Sequence, residues 1–387
     1  MCARVDELAA VLVDASRDIH AHPELAYQEH HAHDVLTDIL EDEGVEVSRS
    51  AFGIATAFDA RAGSEGPTIA ICCEYDALPG VGHACGHNII GTAGVGAGLA
   101  AAAMADEVGG QVRILGTPAE EGGAGKVLLA EAGAFDGVDV AMMVHPADAD
   151  LLVMDAIACA VMEVEWFGEA AHAAAFPEKG RNALDAAVLG YLNVAALRQH
   201  IAPTDRIHGV FRKGGEAANI VPDHTVMEWM VRSARMASLA PLKERVIAAW
   251  EAGATATGCR CEHRVLHRPY ADMIDNPIVA GLYAANAATL GRPVRDPRTE
   301  EGPRVVGSTD MGNVSYLVPS IHPMIAVAPA GVSIHSHEFA RYAGGPEGDA
   351  AVLLAAKAMA MTIADLWAQP GLVDDAHAVH PRPADLS

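Results

Sequence analysis

Three short apolar runs in the first half of this chain lead directly into acidic or histidine residues. The runs occupy residues 68–73, 112–115 and 138–144, and segments of small residues with helical character lie between them. Strands that alternate with helices predict an α/β sheet, in which ligands bind beyond the carboxyl ends of the strands. The polar residues that follow the three runs are therefore candidates for one shared site: Glu74, Asp76, Glu120, Glu121 and His145.

The pattern changes at about residue 161, where alternating apolar and polar residues indicate a half-buried strand. The segments that follow are predicted as helix, strand, strand, helix and strand, at residues 182–200, 206–212, 225–232, 239–252 and 259–266. A βαββαβ order is typical of a ferredoxin-like domain. We therefore predict a two-domain α/β protein, with a catalytic domain over 1–160 and 269–387 and an inserted ferredoxin-like lid or dimerisation domain over 161–268. The tail after Pro370 is predicted to be loose.

Composition restricts the partners of the protein. The 387 residues carry 51 acidic and 26 basic side chains, a formal net charge of -25. This charge argues against nucleic acid and anionic membranes as partners, because both repel an acidic surface. We find neither a signal peptide nor an apolar run of the ~18 residues that a membrane helix needs. Seven cysteines at irregular spacing suit a reducing compartment, so a cytoplasmic location is predicted.

The segment Gly82–Asn88 predicts a metal site. Cys85 and His87 lie two residues apart in a loop that its glycines make pliable, so a thiolate and an imidazole can converge on one ion. Glu120 and Glu121 diverge in an extended loop, so one can bind the ion while the other acts as a base for water. Sulfur, imidazole and carboxylate ligands together suit a borderline divalent cation such as zinc. A late loop offers a further ligand, either His335 or His337.

Two other interpretations compete with a metal site. Cys85 between His83 and His87 could be a thiolate nucleophile. Nearby carboxylates would raise the pKa of that thiol, however, and this interpretation leaves the two glutamates without a role. The glycine run 94–98 could belong to a dinucleotide-binding loop, but it does not lie between a strand and the start of a helix. Close helix packing is the expected role of these glycines.

Several motifs together resemble the M20 metallopeptidases, in particular their aminoacylase/amidohydrolase branch and its β-alanyl-lysine dipeptidase and p-aminobenzoyl-glutamate hydrolase subgroups. The resemblance covers nearly the whole chain. It rests on residues 20–24, 73–79, 82–88, 116–122, 171–174, 182–186, 219–222 and 307–315. Two positions depart from the broad pattern of the branch: Glu74 stands where Asp is common, and Asn88 stands where Asp often follows the second histidine. Asn88 is typical of the dipeptidase-like subgroup and so favours dipeptide substrates.

The resemblance implies a role for each matching residue. It implies two divalent metal ions per subunit, zinc or manganese with cobalt as an option, held by Cys85, His87, Glu121, His145 and His335. Cys85 takes the position that bridges the two ions. Glu120 is implied as the general base and Asp76 as a residue that orients a ligand. In the inserted domain, His172 is implied to stabilise the oxyanion, often in the site of the partner subunit, and Asn219 and Arg232 to hold the substrate carboxylate.

The resemblance also implies the reaction. A homodimeric metallohydrolase is expected to cleave the amide bond of a dipeptide or a related aminoacyl-amino acid, a small-molecule substrate. Removal of the acyl group from an N-acyl amino acid, as in an aminoacylase or a p-aminobenzoyl-glutamate hydrolase, is the alternative. A third possibility is a scaffold or binding protein that keeps the fold without catalysis. That possibility predicts a damaged ligand set, and no ligand is missing from this sequence.

Overall fold

The computed structural model describes residues 1–299 and 306–381. The chain divides into two compact units. The first joins Met1–Ala156 to the segment that begins at Met273, and the second is Ile157–Asp272. The second unit therefore extends four residues beyond the predicted insert at each end.

The described residues form strands and helices throughout both units. The strands are β1 (Glu46–Arg49), β2 (Phe58–Ala62), β3 (Thr68–Cys73), β4 (Gln111–Gly116), β5 (Val140–Met142), β6 (His145–Ala147), β7 (Asp155–Ala156), β8 (Ala158–Phe167), β9 (Arg206–Lys213), β10 (His224–Ser233), β11 (Arg260–Val265), β12 (Val306–Gly307), β13 (Ser320–Ile321) and β14 (Met324–Ala326). The helices are α1 (Cys2–Glu7), α2 (Ala9–Ala21), α3 (His30–Asp42), α4 (His87–Ala102), α5 (Ala105–Val108), α6 (Gly125–Glu131), α7 (Ala183–Leu197), α8 (Met236–Thr257), α9 (Pro277–Thr289), α10 (Met311–Ser315), α11 (His337–Ala343), α12 (Pro346–Ala368) and α13 (Gly371–Val379).

The main sheet of the first unit has the strand order β1-β2-β4-β3-β5-β13. Strands β4, β3, β5 and β13 run parallel to one another. Their apolar side chains are buried, as expected for strands that helices cover on both faces. The carboxyl ends of these four strands lie at one edge, so the loops after them meet there. The predicted α/β sheet is confirmed.

Helix α4 packs closely on this sheet because most of its residues are small. A methyl group added at Gly98 would lie 2.3 Å from Ile114, and one added at Gly94 would lie 2.5 Å from the sulfur of Cys73. Both glycines lie in the middle of a buried helix and far from its first turn. The glycine run therefore serves helix–sheet contact, as expected, and forms no phosphate-binding turn.

Helix α12 is the one helix of the described residues that is long and apolar enough to cross a membrane. In the structure 61% of its apolar window is buried. Its small residues pack against α4 and α9 in the core of the first unit. Length and composition alone are thus weak evidence for a span, since a core helix has the same character.

The second unit is an antiparallel four-stranded sheet with the order β11-β8-β10-β9, covered by α7 and α8. The order of elements along the chain is βαββαβ, which is the predicted ferredoxin-like arrangement and is confirmed. Three buried tryptophans, Trp166, Trp229 and Trp250, fill the space between sheet and helices. They supply much of the core of a unit with few other aromatic side chains.

The prediction of a loose tail is wrong for its described part. Residues Gly371–Val379 form α13, with Val373 and Ala376 buried. The carbonyl of Ala376 also accepts a hydrogen bond of 2.8 Å from the Asn276 side chain. The acidic and histidine residues around these two positions obscured the short apolar face of the helix.

Candidate active site

The loop after β3 and the start of α4 place Asp76 and His87 in contact. Both side chains are buried, and the Nδ1–H of His87 donates to Asp76 Oδ1 at 2.9 Å. The other carboxylate oxygen of Asp76 accepts the backbone N–H of Glu121 at 2.9 Å. Asp76 thus fixes one ring orientation of His87, with Nε2 directed away from Asp76, and it also fixes the neighbouring loop. A carboxylate in this position is typical of a histidine that binds metal.

The loop after β4 carries the two glutamates. Ala119, just before them, has a left-handed backbone with φ 62°. A non-glycine residue held in that region indicates a functional constraint on the backbone. Glu120 is buried, and burial together with the carboxylates of Glu74 and Glu121 raises its pKa well above the usual range. A buried glutamate with a raised pKa has the character of a proton acceptor near neutral pH.

The loop after β5 brings His145 to Cys85. The sulfur of Cys85 lies 3.3 Å from His145 Nε2, and the Nδ1–H of His145 donates to the carbonyl of Pro146 at 2.7 Å. Burial lowers the pKa of His145 to about 4, so its ring is neutral and offers a lone pair. Burial and the carboxylate of Glu121 raise the pKa of the Cys85 thiol well above its usual value. This surrounding disfavours a free thiolate nucleophile, because the thiolate needs a compensating cation.

The structure distinguishes the two late histidines. His335 has a left-handed backbone with φ 63°, and its N–H donates to the carbonyl of Ala84 at 2.8 Å. Its Nε2 lies 3.3 Å from Glu121 Oε1. His337 is exposed at the start of α11. The structure therefore brings His335 to the candidate ligands and leaves His337 on the surface.

The candidate ligands form overlapping groups whose donor atoms lie within 4.8 Å of one another. Cys85 belongs to two of these groups, one with His87 and His145 and one with Glu121 and His335. His87 Nε2 and Glu121 Oε1 are buried, and neither has a hydrogen-bond partner among the described residues. Buried polar atoms without partners are costly, and a cation would satisfy them. The donor set of sulfur, nitrogen and oxygen fits borderline divalent cations, which these residues would hold.

Another group of possible ligands, Asp18, His22 and His31, lies on the surface of the first unit. Here the groups already satisfy one another, since His31 Nε2 lies 2.7 Å from Asp18 Oδ2 and His22 Nδ1 lies 3.1 Å from Asp18 Oδ1. The side chains are 39–58% exposed. In the first group His335 is 50% exposed, but Cys85, His87 and His145 are buried, so that group is the better candidate for a catalytic centre.

A buried charge network beneath the site escaped the sequence reasoning. The ammonium of Lys126 lies 2.5 Å from Glu74 Oε1 and 2.6 Å from Asp310 Oδ1, and all three side chains are inaccessible to solvent. Burial works against the ammonium, but the carboxylates of Asp310 and Glu74 outweigh it and hold the pKa of Lys126 well above its usual value. Glu74 also reaches His87, at 3.4 Å from Nε2. Only the fold brings these three distant sequence positions together.

We expect Lys126→Met to lower the free energy of unfolding of the first unit by about 3–5 kcal/mol, because it leaves two buried carboxylates without their cation. Lys357→Met is the matched control. Its ammonium pairs with the exposed Asp6, and such a surface pair contributes about 1 kcal/mol or less. Denaturant unfolding of both variants measures the difference. Equal losses of unfolding free energy in Lys126→Met and Lys357→Met would contradict a structural role for the buried Lys126.

His322 was also missed. It follows β13 at the same sheet edge, is buried, and stacks on His145 with ring centroids 5.3 Å apart. Burial lowers its pKa to about 3, so the ring is neutral. The signal that found the other loops, a polar residue directly after an apolar strand, was present here too. The strand was too short to identify from the sequence.

The three predicted site residues of the inserted unit do not all lie together. The N–H of Ala173, next to His172, donates to the carbonyl of Asn219 at 3.0 Å, so these two loops are neighbours. Arg232 lies near the far end of β10, paired with Cys159 of β8. His172 and Asn219 are exposed, and Arg232 is half-buried.

Asn88 lies inside the protein and does not line the site. Its amide donates to the backbone carbonyls of Ser16 and Ala343 and to the hydroxyl of Ser16, at 2.9–3.3 Å. An aspartate here would offer no donor to these oxygen atoms. Asn88 therefore joins α4 to α2 and α11, and it gives no direct contact through which it could select a dipeptide.

Comparisons with known proteins identify the family of this chain. Residues 70–364 match the model of peptidase family M20/M25/M40. The Xaa-Arg dipeptidase of Mus musculus is 39% identical over 386 residues, covering 96% of this chain and 89% of that protein. A p-aminobenzoyl-glutamate hydrolase subunit of Escherichia coli (strain K12) is 28% identical, covering 96% of this chain and 92% of that protein.

Solved structures show the same fold. A dinuclear metal binding peptidase of the M20 family from Bacillus subtilis superposes with a TM-score of 0.72 at 21% identity, covering 93% of this chain and 99% of that one. An aminobenzoyl-glutamate utilization protein from Klebsiella pneumoniae superposes with a TM-score of 0.73 at 21% identity, covering 94% and 98%. The family match spans more than half of the sequence, and a relative that is 39% identical covers 96% of it. The chain belongs to peptidase family M20/M25/M40.

Proposed function

We propose that this protein hydrolyses the amide bond of dipeptides with two divalent metal ions in the buried site. The observation that carries the proposal is the convergence of five side chains: Cys85, His87, Glu121, His145 and His335. Two of their buried donor atoms, His87 Nε2 and Glu121 Oε1, have no hydrogen-bond partner among the described residues. Divalent cations held there supply Lewis acidity, which lowers the pKa of water and polarises an amide carbonyl. Zinc and manganese are the first candidates, because sulfur and imidazole donors suit zinc and carboxylates are also compatible with manganese.

In this proposal Glu120 takes the proton from the attacking water and later gives it to the leaving amine. Its burial and its neighbouring carboxylates hold its pKa high, which makes the carboxylate a strong enough base for the first transfer and an acid for the second. Asp76 orients His87 through its Nδ1–H and holds the Glu121 backbone. Proton transfer by Glu120 and metal binding by Glu121 are thus divided between adjacent glutamates on one loop.

We propose that His172 stabilises the developing oxyanion. Its Nδ1 accepts the backbone N–H groups of Ala174 and Ala175 at 3.3 and 3.2 Å. A neutral ring that accepts at Nδ1 carries its proton on Nε2, so the exposed Nε2–H is a donor of fixed direction. A fixed donor of this kind can bind an oxyanion without reorganising.

The inserted unit supports a homodimer. Asn219 lies beside His172 before the first residue of β10, whereas Arg232 lies on the order of 25 Å further along that strand. A dipeptide is only about 7 Å long. One copy of this unit therefore cannot place all three residues on one substrate. We propose that one subunit supplies His172 and Asn219 and the other supplies Arg232.

The surface of the inserted unit offers an apolar face for such a dimer. Val188 and Leu192 on α7 are 42% and 56% exposed, and Phe211 on the neighbouring edge strand β9 is 44% exposed. Phe211 contacts Tyr191 of α7, with rings 6.4 Å apart, so the helix and the strand form one patch. Exposed apolar patches of this kind often mark protein–protein contacts.

We expect Leu192→Glu to shift the protein from dimer to monomer and to lower turnover, because a buried charge in the interface costs several kcal/mol. Leu317→Glu is the control, since Leu317 is 54% exposed in the first unit and far along the chain from this patch. Sedimentation or light scattering gives the mass of each variant. A dimeric Leu192→Glu variant with wild-type turnover would contradict the proposed interface.

The substrate is proposed as a dipeptide, with a basic C-terminal residue as the first candidate. The relative that covers 96% of this chain at 39% identity is an Xaa-Arg dipeptidase, and the net charge of -25 attracts cationic substrates. The second candidate is an N-acyl amino acid, favoured by the 28% identity to a p-aminobenzoyl-glutamate hydrolase subunit. All seven cysteines are free in the structure, which supports a reducing, cytoplasmic location.

A substrate screen tests this proposal. Metal-free protein is reloaded with zinc, manganese or cobalt and assayed with Xaa-Arg and Xaa-Lys dipeptides, dipeptides with acidic C-termini, and N-acetyl and p-aminobenzoyl amino acids. We expect the highest kcat/KM for a dipeptide. Hydrolysis restricted to the acylated substrates would establish the second candidate, and absence of turnover with every metal would favour a scaffold.

A further inference from the structure

A buried carboxylate outside the catalytic loops contacts the backbone next to the proposed base. Glu29 precedes α3 and has no solvent-accessible surface. Its Oε1 accepts the N–H of Ala119 at 2.9 Å, and its Oε2 accepts the hydroxyl of Thr56 at 2.9 Å. Neither of these partners is a candidate metal ligand. One carboxylate oxygen of Glu29 thus binds the loop that carries Glu120, and the other binds a buried hydroxyl.

The contact acts on the strained point of the loop. Ala119 has φ 62°, a left-handed conformation that is unfavourable for a residue with a side chain. The peptide N–H of Glu121, on the other side of Glu120, is held by Asp76. Glu120 therefore lies between two backbone N–H groups, each anchored by a different buried carboxylate. Loss of either anchor would free the backbone at Glu120.

Tyr27 holds the same loop at its other end. Its hydroxyl donates to the carbonyl of Gly123 at 2.6 Å. The ring lies so close that a methyl group at Gly123 would come within 2.5 Å of it. Tyr27 itself has φ 62°, as Ala119 does. The short segment between α2 and α3 thus forms hydrogen bonds with both ends of the loop 119–123, through Glu29 and Tyr27.

Resting on the proposed function of Glu120, we propose that Glu29 is a positioning residue that holds the Glu120 backbone in its catalytic conformation through Ala119. Tyr27 assists at Gly123. The precision of a general base matters because a displacement of about 1 Å can reduce turnover about 100-fold. Glu29 acts on the position of Glu120. Of the proposed ligands only Glu121 lies on the same loop, and its backbone N–H is held separately by Asp76.

The test compares Glu29→Ala, Glu29→Gln and Thr56→Val in the metal-loaded protein. Glu29→Ala removes the Ala119 contact, and we expect kcat to fall about 100-fold with KM and metal content little changed. Glu29→Gln keeps an acceptor for Ala119, and its amide can donate to the Thr56 hydroxyl, so most of kcat should remain. Thr56→Val removes only the other partner of Glu29 and should also keep most of kcat. Tyr27→Phe should have a smaller effect than Glu29→Ala.

Hydrogen exchange of the backbone amides of residues 119–123 provides a readout that does not require activity. We expect faster exchange in Glu29→Ala and wild-type exchange in Glu29→Gln. Wild-type exchange and kcat in Glu29→Ala would overturn the proposal, and so would loss of metal in that variant. If wild-type protein with metal hydrolyses none of the substrates screened, the proposed function fails, and the exchange experiment still decides whether Glu29 holds the loop.

Discussion

The Glu120→Gln variant is expected to lose about 10²- to 10⁴-fold in kcat while it binds metal with the stoichiometry of the wild type. The amide has nearly the shape of the carboxylate, but it cannot take a proton from water at neutral pH. Glu120 is buried beside Glu74 and Glu121, where its raised pKa suits a group that accepts and returns a proton. Steady-state kinetics together with elemental analysis of the metal content separate a lost base from a lost ion.

The neighbouring Glu121→Gln variant is the matched control for this result. Glu121 Oε1 lies 3.3 Å from His335 Nε2 and 3.8 Å from His87 Nε2, within the proposed ligand set. We therefore expect Glu121→Gln to lower metal affinity first and turnover as a consequence, with partial recovery at high metal concentration. The assignment of the two glutamates would be wrong if added metal restored the turnover of Glu120→Gln. It would also be wrong if Glu120→Gln had wild-type turnover without added metal.

Removal of the metal is expected to abolish turnover and to destabilise the first unit. A ligand that binds only the folded state stabilises it by about 4 kcal/mol when its free concentration is 1,000 times its dissociation constant. The raised pKa of the Cys85 thiol means that metal binding must expel a proton, so the apparent affinity should rise with pH. Chelation followed by thermal unfolding and activity assays, with zinc, manganese or cobalt added back, measures both effects.

Two variants locate the ions that matter. Cys85→Ala removes the side chain common to two ligand groups, so it should lose activity and bind fewer ions than the wild type. A His22→Ala/His31→Ala double variant removes the exposed group on the surface and should keep activity and both catalytic ions. A protein that remains active after complete chelation would support the thiol nucleophile and contradict the metal centre.

The sequence predicted the sheet edge because parallel strands end together. The runs 68–73, 112–115 and 138–144 contain or lie within β3, β4 and β5, and Asp76, the two glutamates and His145 follow these strands. The βαββαβ insert was also predictable, because its two central strands, β8 and β10, alternate between apolar and polar residues. The shorter elements could not be predicted from the sequence. The strand before His322 has only two residues, and the two buried residues of α13 lie among charged ones, so neither gave a periodic signal.

Long-range contacts explain the remaining differences. Glu74, Lys126 and Asp310 are separated by up to 236 positions, and their buried network exists only because the fold closes over them. Glu29 lies 90 residues before Ala119, so its contact with the catalytic loop has no local signature. Asn88 stands in the predicted metal motif, yet its side chain turns into the protein and bonds to other helices.

The sequence by itself determined which residues could bind metal and the fold that would collect them, because residue type and strand periodicity are local properties. Local patterns left His335 and His337 equivalent, and only the family resemblance favoured His335. Local patterns also could not show that Asn219 lies before β10 while Arg232 lies near its far end. Only the tertiary structure decided these points. A left-handed backbone at His335 turns that ring toward Glu121, and the length of β10 separates the two substrate-binding candidates. Such distances depend on contacts between residues far apart in the chain, which local patterns do not record.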